Sequence, residues 1–233
     1  MKIHTSDKRA LVFGATGLVG SHLVPQLLAH PAYAEVHVFG RRALKLTHPK
    51  LRQHLIDFER LEDYRDLIVG DDLFCCLGTT RKNAGSKEAF RHVDFDYNYL
   101  LALIAERNGI NQYLLVSSVG ADPDSPVFYS KVKGQLEKAV RELDFWSLHI
   151  FQPSLLLGER NENRFGEAVA QRIGKVLDKV TGNLLSKYKP IEAEYVAQAM
   201  VFAAQELIKG QHVYASHELQ RMAEAAERKR LRR

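Results

Sequence analysis

The chain has 233 residues, of which 45% are hydrophobic and 26% charged, with a net charge of +5. That length suits one domain with at most a small appendage, and the apolar share is enough for a packed core, which excludes a disordered or fibrous chain. The basic excess is concentrated in residues 227–233, which hold five basic groups and one acid, so the body is near neutral and nucleic acid is not an expected partner.

No segment is apolar for the length of a membrane span, and the first residues carry no signal-peptide core, so no membrane partner is expected. The two cysteines, Cys75 and Cys76, are adjacent in an apolar run. Neighbouring strand side chains point to opposite faces, which argues against a mutual disulfide. They read as small buried side chains in a reducing, cytoplasmic setting.

Taken in chain order, short apolar runs at 10–13, 36–39, 54–58, 73–77, 113–117 and 146–152 alternate with helical patterns at 17–30, 61–69, 86–108 and 130–142. Continuous apolar strands joined by helical crossovers predict an α/β fold, a doubly wound parallel sheet of Rossmann type. Residues 158–190 are polar and irregular around a helical stretch at 165–180, and read as a small substrate-covering cap. A helix follows at 191–208, and 216–233 reads as an exposed, charged terminal helix. The whole chain is then a single dinucleotide-binding domain.

The first strand runs into Gly14-Ala-Thr16-Gly17-Leu18-Val19-Gly20 and then into a helix. Glycines there allow a tight turn and close approach to a pyrophosphate, and the helix N-terminus offers free N–H groups and partial positive charge. With 15 glycines in the chain, chance would place three at this spacing roughly 0.06 times. Thr16 adds a hydroxyl for a phosphate. The second strand ends in Gly40-Arg41-Arg42. A site selective for NAD usually carries an acid there for the ribose 2′-hydroxyl. Two guanidinium groups suit a 2′-phosphate instead, so NADP(H) is the expected cofactor. Asp57, after the third strand, reads equally as an acceptor for the adenine amino group or as a helix cap. Leu77-Gly78-Thr79 closes the fourth strand, where backbone and hydroxyls can approach the middle of a cofactor.

Tyr129 and Lys133 stand four apart at the start of a helical pattern, hence on one face. An ammonium beside a phenol stabilises the phenolate, and the phenol can then pass a proton to or from a carbonyl oxygen. Ser118, or in second place Ser117, ends the fifth strand and can hold the substrate oxygen. The Tyr/Lys spacing alone carries little weight. Its weight comes from the order of glycine turn, fourth-strand glycine, fifth-strand serines, then Tyr and Lys. The ten histidines show no metal-ligand spacing, so no metal is expected.

This set resembles the short-chain dehydrogenase/reductase superfamily in its extended or atypical branch, and more narrowly the oxidoreductases of the HIV Tat-interacting-protein type. The matching residues are Gly14 to Gly17, Phe39 to Arg42, Asp57-Phe58, Phe74 to Arg81, Val116 to Asp122, Tyr129 to Gly134, Gln152 to Arg160 and Arg164 to Glu167. The resemblance implies that Thr16, Gly17, Leu18, Val19, Arg41, Arg42, Leu77, Gly78, Tyr129, Lys133 and Arg164 touch NADPH, with Tyr129 as proton donor and acceptor. The implied activity is NADPH-dependent hydride transfer to or from a carbonyl or hydroxyl of a small molecule. Two other readings stand beside it: an NADP(H) sensor that binds protein partners without turnover, and a sugar-nucleotide epimerase or dehydratase. A homodimer or a protein partner is compatible with all three. Gln152 and Tyr195 depart from the family pattern, where Arg and Asp are common.

Overall fold

The computed structural model describes residues 3–158 and 189–231. Strands β1 (Lys8–Phe13), β2 (Tyr33–Gly40), β3 (Leu51–Leu55), β4 (Asp72–Cys75), β5 (Gln112–Val116) and β6 (Ser147–Gln152) are parallel. A small parallel pair, β7 (Leu156–Leu157) with β8 (Ile191–Glu192), lies apart, and β9 (Gly210–Ala215) adds to β6. The seven-stranded sheet has the order β3-β2-β1-β4-β5-β6-β9. The chain works outward from β1 to β3, then returns to β4 on the other side of β1. That reversal opens a crevice beyond the carboxyl ends of β1 and β4, where such sheets bind ligands.

Alternation along the strands feeds two cores. Ala10 and Val12 face α1 (Leu18–Ala29) and α6 (Ala193–Glu206), where Leu23, Leu27, Ala197, Met200 and Ala204 are buried. Leu11 and Phe13 face α4 (Tyr97–Arg107) and α5 (Phe128–Arg141), burying Leu101, Ile104, Leu136 and Val140. Each such side chain contributes about 1.5–3 kcal/mol of apolar burial, which is why both faces of a parallel sheet must be covered.

Three expectations need correction and one strand was not expected. The third strand is Leu51–Leu55, not 54–58, because Asp57 caps a 3-10 helix at Phe58–Leu67 that takes the following residues out of the sheet. The pattern at 86–108 is not one α-helix. It runs as α3 (Lys87–Arg91), a π-helical turn (His92–Asp96) and α4, after a single turn α2 (Arg81–Ala84). Strand β9, at the sheet edge, was not among the expected strands: it opens with Gly210-Gln211-His212 before Val213-Tyr214-Ala215, so it lacks the continuous apolar signal of the central strands. Finally α7 (Ser216–Leu231) is not wholly exposed, since Leu219 and Ala223 are buried, Leu219 in the core that α6 shares. Of the expected cap, only Gly158, Lys189 and Pro190 are described. Arg164 and the helical stretch 165–180 lie outside the described residues.

Candidate functional site: a dinucleotide crevice with a buried Lys133–Asp94 pair

Gly14 follows β1 with φ of +85°, a conformation that L side chains rarely adopt. A Cβ there would also strike the Cys76 carbonyl, so glycine lets the ends of β1 and β4 close on each other. The Gly17 N–H donates to the Gly14 carbonyl at 2.9 Å and closes the turn. Gly20 lies against this turn, where a Cβ would strike the Gly14 carbonyl. Helix α1 has no side-chain cap at Gly17 and no acid in its first turn. The Ser21 N–H is the first to donate within the helix, to the Gly17 carbonyl at 2.9 Å, so the amides of Leu18, Val19 and Gly20 are left without helical acceptors and the helix end is an anion cradle. Thr16 is exposed at its rim and Val19 is buried beneath it.

Arg41 and Arg42 follow β2 at the same end of the sheet. Both are exposed, and neither is ion-paired among the described residues. Asp57 serves as a cap: its Oδ1 accepts the Glu59 N–H at 3.0 Å. Tyr97 donates to Glu59. Burial and then Glu59 push the Tyr97 hydroxyl up to about 12, with Asp57 adding to the rise and Arg41 opposing it. Arg41 and Asp57 thus both act electrostatically on Tyr97 at one corner of the crevice.

Beyond β4, Leu77 is half-buried, Gly78 is exposed, and the Thr79 N–H donates to Asp94 Oδ2 at 2.8 Å. Helix α5 places Tyr129 in its first turn and Lys133 one turn on. A Cβ on Gly134 would strike the backbone at Asp122 and Pro123, so α5 rests directly on the loop that follows Ser117 and Ser118. The Tyr129 ring packs on Phe90, with centroids 5.6 Å apart. Lys133 is buried, and its Nζ lies 2.8 Å from Asp94 Oδ1. Lys133 is thus the ion-pair partner of Oδ1, and no other donor among the described residues reaches that oxygen. Burial alone would lower the Lys133 pKa. Asp94 first, then Tyr129, outweigh it and hold the ammonium above its usual range.

The two serines differ. Ser117 is buried and donates to Glu137, which also accepts from the Gln152 amide at 3.0 Å on both oxygens. Burial raises the Glu137 pKa against those hydrogen bonds. Ser118 is half-buried and reaches only the Val119 carbonyl at 3.4 Å, a long contact that leaves its hydroxyl available. Cys75 donates to Asn98 and Cys76 is half-buried; both thiols are free. Asp94 and Glu137 were not among the residues expected from sequence. Their signal was a carboxylate amid otherwise apolar helix positions, Asp94 between Phe90 and Leu101, and Glu137 beside Val132, Leu136 and Val140.

A family model described as NAD(P)H-binding matches residues 14–145, the whole stretch from the glycine turn to the end of α5. The chain belongs to that NAD(P)H-binding family. It is 38% identical over 170 residues to Protein HTATIP2 of Rattus norvegicus, spanning 71% of this chain and 70% of that protein. It is 35% identical over 206 residues to the mitochondrial Protein FMP52 of Candida albicans, spanning 86% and 89%. These relatives place it in an atypical branch of the short-chain dehydrogenases/reductases. Among solved structures it resembles a UDP-N-acetylglucosamine 4-epimerase from Methanobrevibacter ruminantium (TM-score 0.67, 17% identity, 90% of this chain and 77% of that one). It also resembles MoeE5 in complex with UDP-glucose and NAD (TM-score 0.67, 17% identity, 93% and 81%). These likenesses are of fold. The NAD(P)H-binding assignment fits the crevice itself: a glycine cradle that any Cβ would fill, an uncapped helix end, and an exposed glycine over a buried lysine. No helix among the described residues is long and apolar enough to cross a membrane.

Proposed function

We propose that the protein is an NADPH-dependent oxidoreductase that transfers hydride to or from a carbonyl or hydroxyl carbon of a small-molecule substrate. The observation that carries this reading is Tyr129 one helical turn from a buried, charged Lys133, beside the exposed Gly78 of a dinucleotide crevice. When bound, the nicotinamide would supply or take up the hydride. The amides at the start of α1 and the Thr16 hydroxyl hold the pyrophosphate. Arg41 and Arg42 bind the 2′-phosphate, for which a carboxylate at that place would be repulsive. Lys133 donates to the cofactor ribose and stabilises the phenolate of Tyr129. Tyr129 gives its proton to the substrate oxygen in reduction and takes it back in oxidation. Ser118 donates to the same oxygen, because Ser117 is engaged with Glu137. General acid catalysis of this kind is worth about 10²–10⁴-fold.

Titration calorimetry with NADPH, NADP⁺ and NADH, followed by a carbonyl panel read by NADPH absorbance, tests the reading. Expected are NADPH binding tighter than NADH, and turnover that falls by about 10²-fold or more in Tyr129→Phe with cofactor affinity retained. Folded protein that binds neither NADPH nor NADP⁺ overturns it. Tight binding with no turnover across the panel, and no change in Tyr129→Phe, makes the protein a nucleotide sensor instead.

A further inference from the structure

Asp94 sits in the π-helical turn between α3 and α4, and its side chain is 1% exposed. Such turns are rare and gather at functional sites. This one aims a carboxylate between two parts of the crevice. Oδ2 accepts the Thr79 N–H of the loop after β4, and Oδ1 faces the Lys133 ammonium of α5. A Cβ on Gly78 would lie 3.2 Å from Oδ1 and 3.7 Å from Lys133 Nζ, so the pair lies directly beneath the backbone expected to meet the cofactor. Three elements far apart in sequence therefore converge on a single carboxylate.

Other groups around Lys133 do not replace it. On its own helix Tyr129 acts on it from one turn before, and Glu137, one turn after, acts on it while already accepting from Ser117 and Gln152. From β4 only the Cys75 thiol faces it, and that thiol donates to Asn98. Asp94 alone offers an oxygen that no donor other than Lys133 occupies.

We propose that Asp94 is the positioning residue of the site: it holds and aims the Lys133 ammonium and ties it to the Gly78–Thr79 loop, so that the cofactor ribose and Tyr129 meet a lysine already in place. This rests on the reading of Lys133 under Proposed function for its catalytic consequence, but not for the pairing itself. A lysine without this partner would have to be oriented by the ligand, and such misplacement costs on the order of 10²-fold in rate.

The test uses full-length protein with lysines carrying ¹³C at Cε, and the variants Asp94→Asn, Asp94→Glu and, as control, Asp96→Asn. Asp96 lies in the same turn but pairs with His92 at the surface. In wild type the Lys133 signal should stay unchanged through about pH 10–11, where ordinary lysines titrate. In Asp94→Asn its midpoint should fall by about 1–3 pH units. Asp94→Glu should restore part of the shift, and Asp96→Asn should match wild type. A Lys133 midpoint unmoved by Asp94→Asn overturns the proposal. Should the variant unfold before titrating, a thermal cycle decides. Asp94→Asn and Lys133→Met should each lower Tm more than the double variant does, and simple additivity of the two losses overturns the pairing. A wild type that shows both signatures yet binds no NADPH leaves the pairing standing and overturns the proposed function alone.

Discussion

The sheet buries a lysine–aspartate pair at each of its two ends, and the pairs are built differently. At the amino ends of the strands Lys8 meets Asp72, both 1% exposed. Asp72 also accepts the Tyr33 hydroxyl at 2.6 Å and the Gln112 amide at 2.8 Å. Lys8 and Gln112 both donate to the Ala204 carbonyl in the last turn of α6, at 3.2 and 3.0 Å, and Gln205 donates to Tyr33 at 2.9 Å. Among the described residues no buried side-chain polar atom there lacks a partner. At the carboxyl ends Lys133 meets an Asp94 oxygen that no other donor reaches, beside an uncapped helix end and two arginines with no acid paired to them among the described residues. The closed network joins helix to sheet. The open one keeps hydrogen-bonding capacity for something that arrives later.

Breaking the closed pair gives the largest expected effect. Lys8→Met leaves the Asp72 charge buried without its cation, and such losses run to about 3–5 kcal/mol. Urea denaturation at neutral pH should show this while NADPH affinity is retained. Burial already raises the Asp72 pKa, against the pull of Lys8 and the hydrogen bonds of Tyr33 and Gln112. A group whose folded pKa lies above its unfolded value contributes stability below the unfolded pKa and loses it as pH rises. The deficit of Lys8→Met should therefore shrink on acidification. A deficit that grows instead would mean that Asp72 is not the group left exposed to the penalty.

His149 sharpens the same end. It is buried on β6, bonded through Nε2 to Ser147 at 2.9 Å and through Nδ1 to Tyr214 at 3.0 Å. Burial, then His212 and Lys8, lower its pKa to about 3. The unfolded chain takes up this proton near pH 6.5 and the folded one does not, so stability is full above about 6.5 and falls toward about 3 at about 1.4 kcal/mol per pH unit. His149→Asn should remove that slope whatever it does to stability at pH 7. A variant whose acid limb is as steep as wild type would assign the slope to other groups.

The closed and open ends were also unequally legible in sequence. The crevice announced itself through local patterns, the glycines Gly14, Gly17 and Gly20 at a strand-to-helix turn and two adjacent arginines at the end of the second strand. The central strands were visible because burial on both faces makes them continuously apolar. What stayed hidden depends on long-range partners. Asp94 and Glu137 stand at otherwise apolar helix positions, but nothing in the sequence says that the fold pairs them with Lys133 and Ser117. Lys8 and Asp72 are far apart in sequence, and no local pattern announces their pairing. Strand β9, half-exposed at the edge, has too little apolar continuity to stand out from a loop.

Removing the open end's arginines should separate binding from stability. Arg41→Ala with Arg42→Ala takes away charge-assisted hydrogen bonds worth about 1.5–3 kcal/mol each. NADPH affinity should fall by at least about tenfold, NADH affinity should hardly change, and Tm should stay put, since exposed substitutions away from a network stay within about 0.5 kcal/mol. Equal losses for the two nucleotides would remove the inference of 2′-phosphate binding.

Asp57 gives the smallest effect and the finest distinction, because it lies at the open end yet is used by the fold. Its carboxylate caps the Phe58–Leu67 helix through the Glu59 amide, and one oxygen remains for an adenine amino group. Asn caps nearly as well as Asp, whereas Ala loses about 1 kcal/mol. If capping is the whole role, Asp57→Asn keeps stability and NADPH affinity, and Asp57→Ala lowers stability alone. An adenine contact predicts a different pair of results: both variants weaken NADPH, Ala the more strongly, while a fragment lacking the base binds them as it binds wild type. Affinities for NADPH and for the base-free fragment, set beside Tm, therefore decide whether this carboxylate belongs to the open end or only borders it.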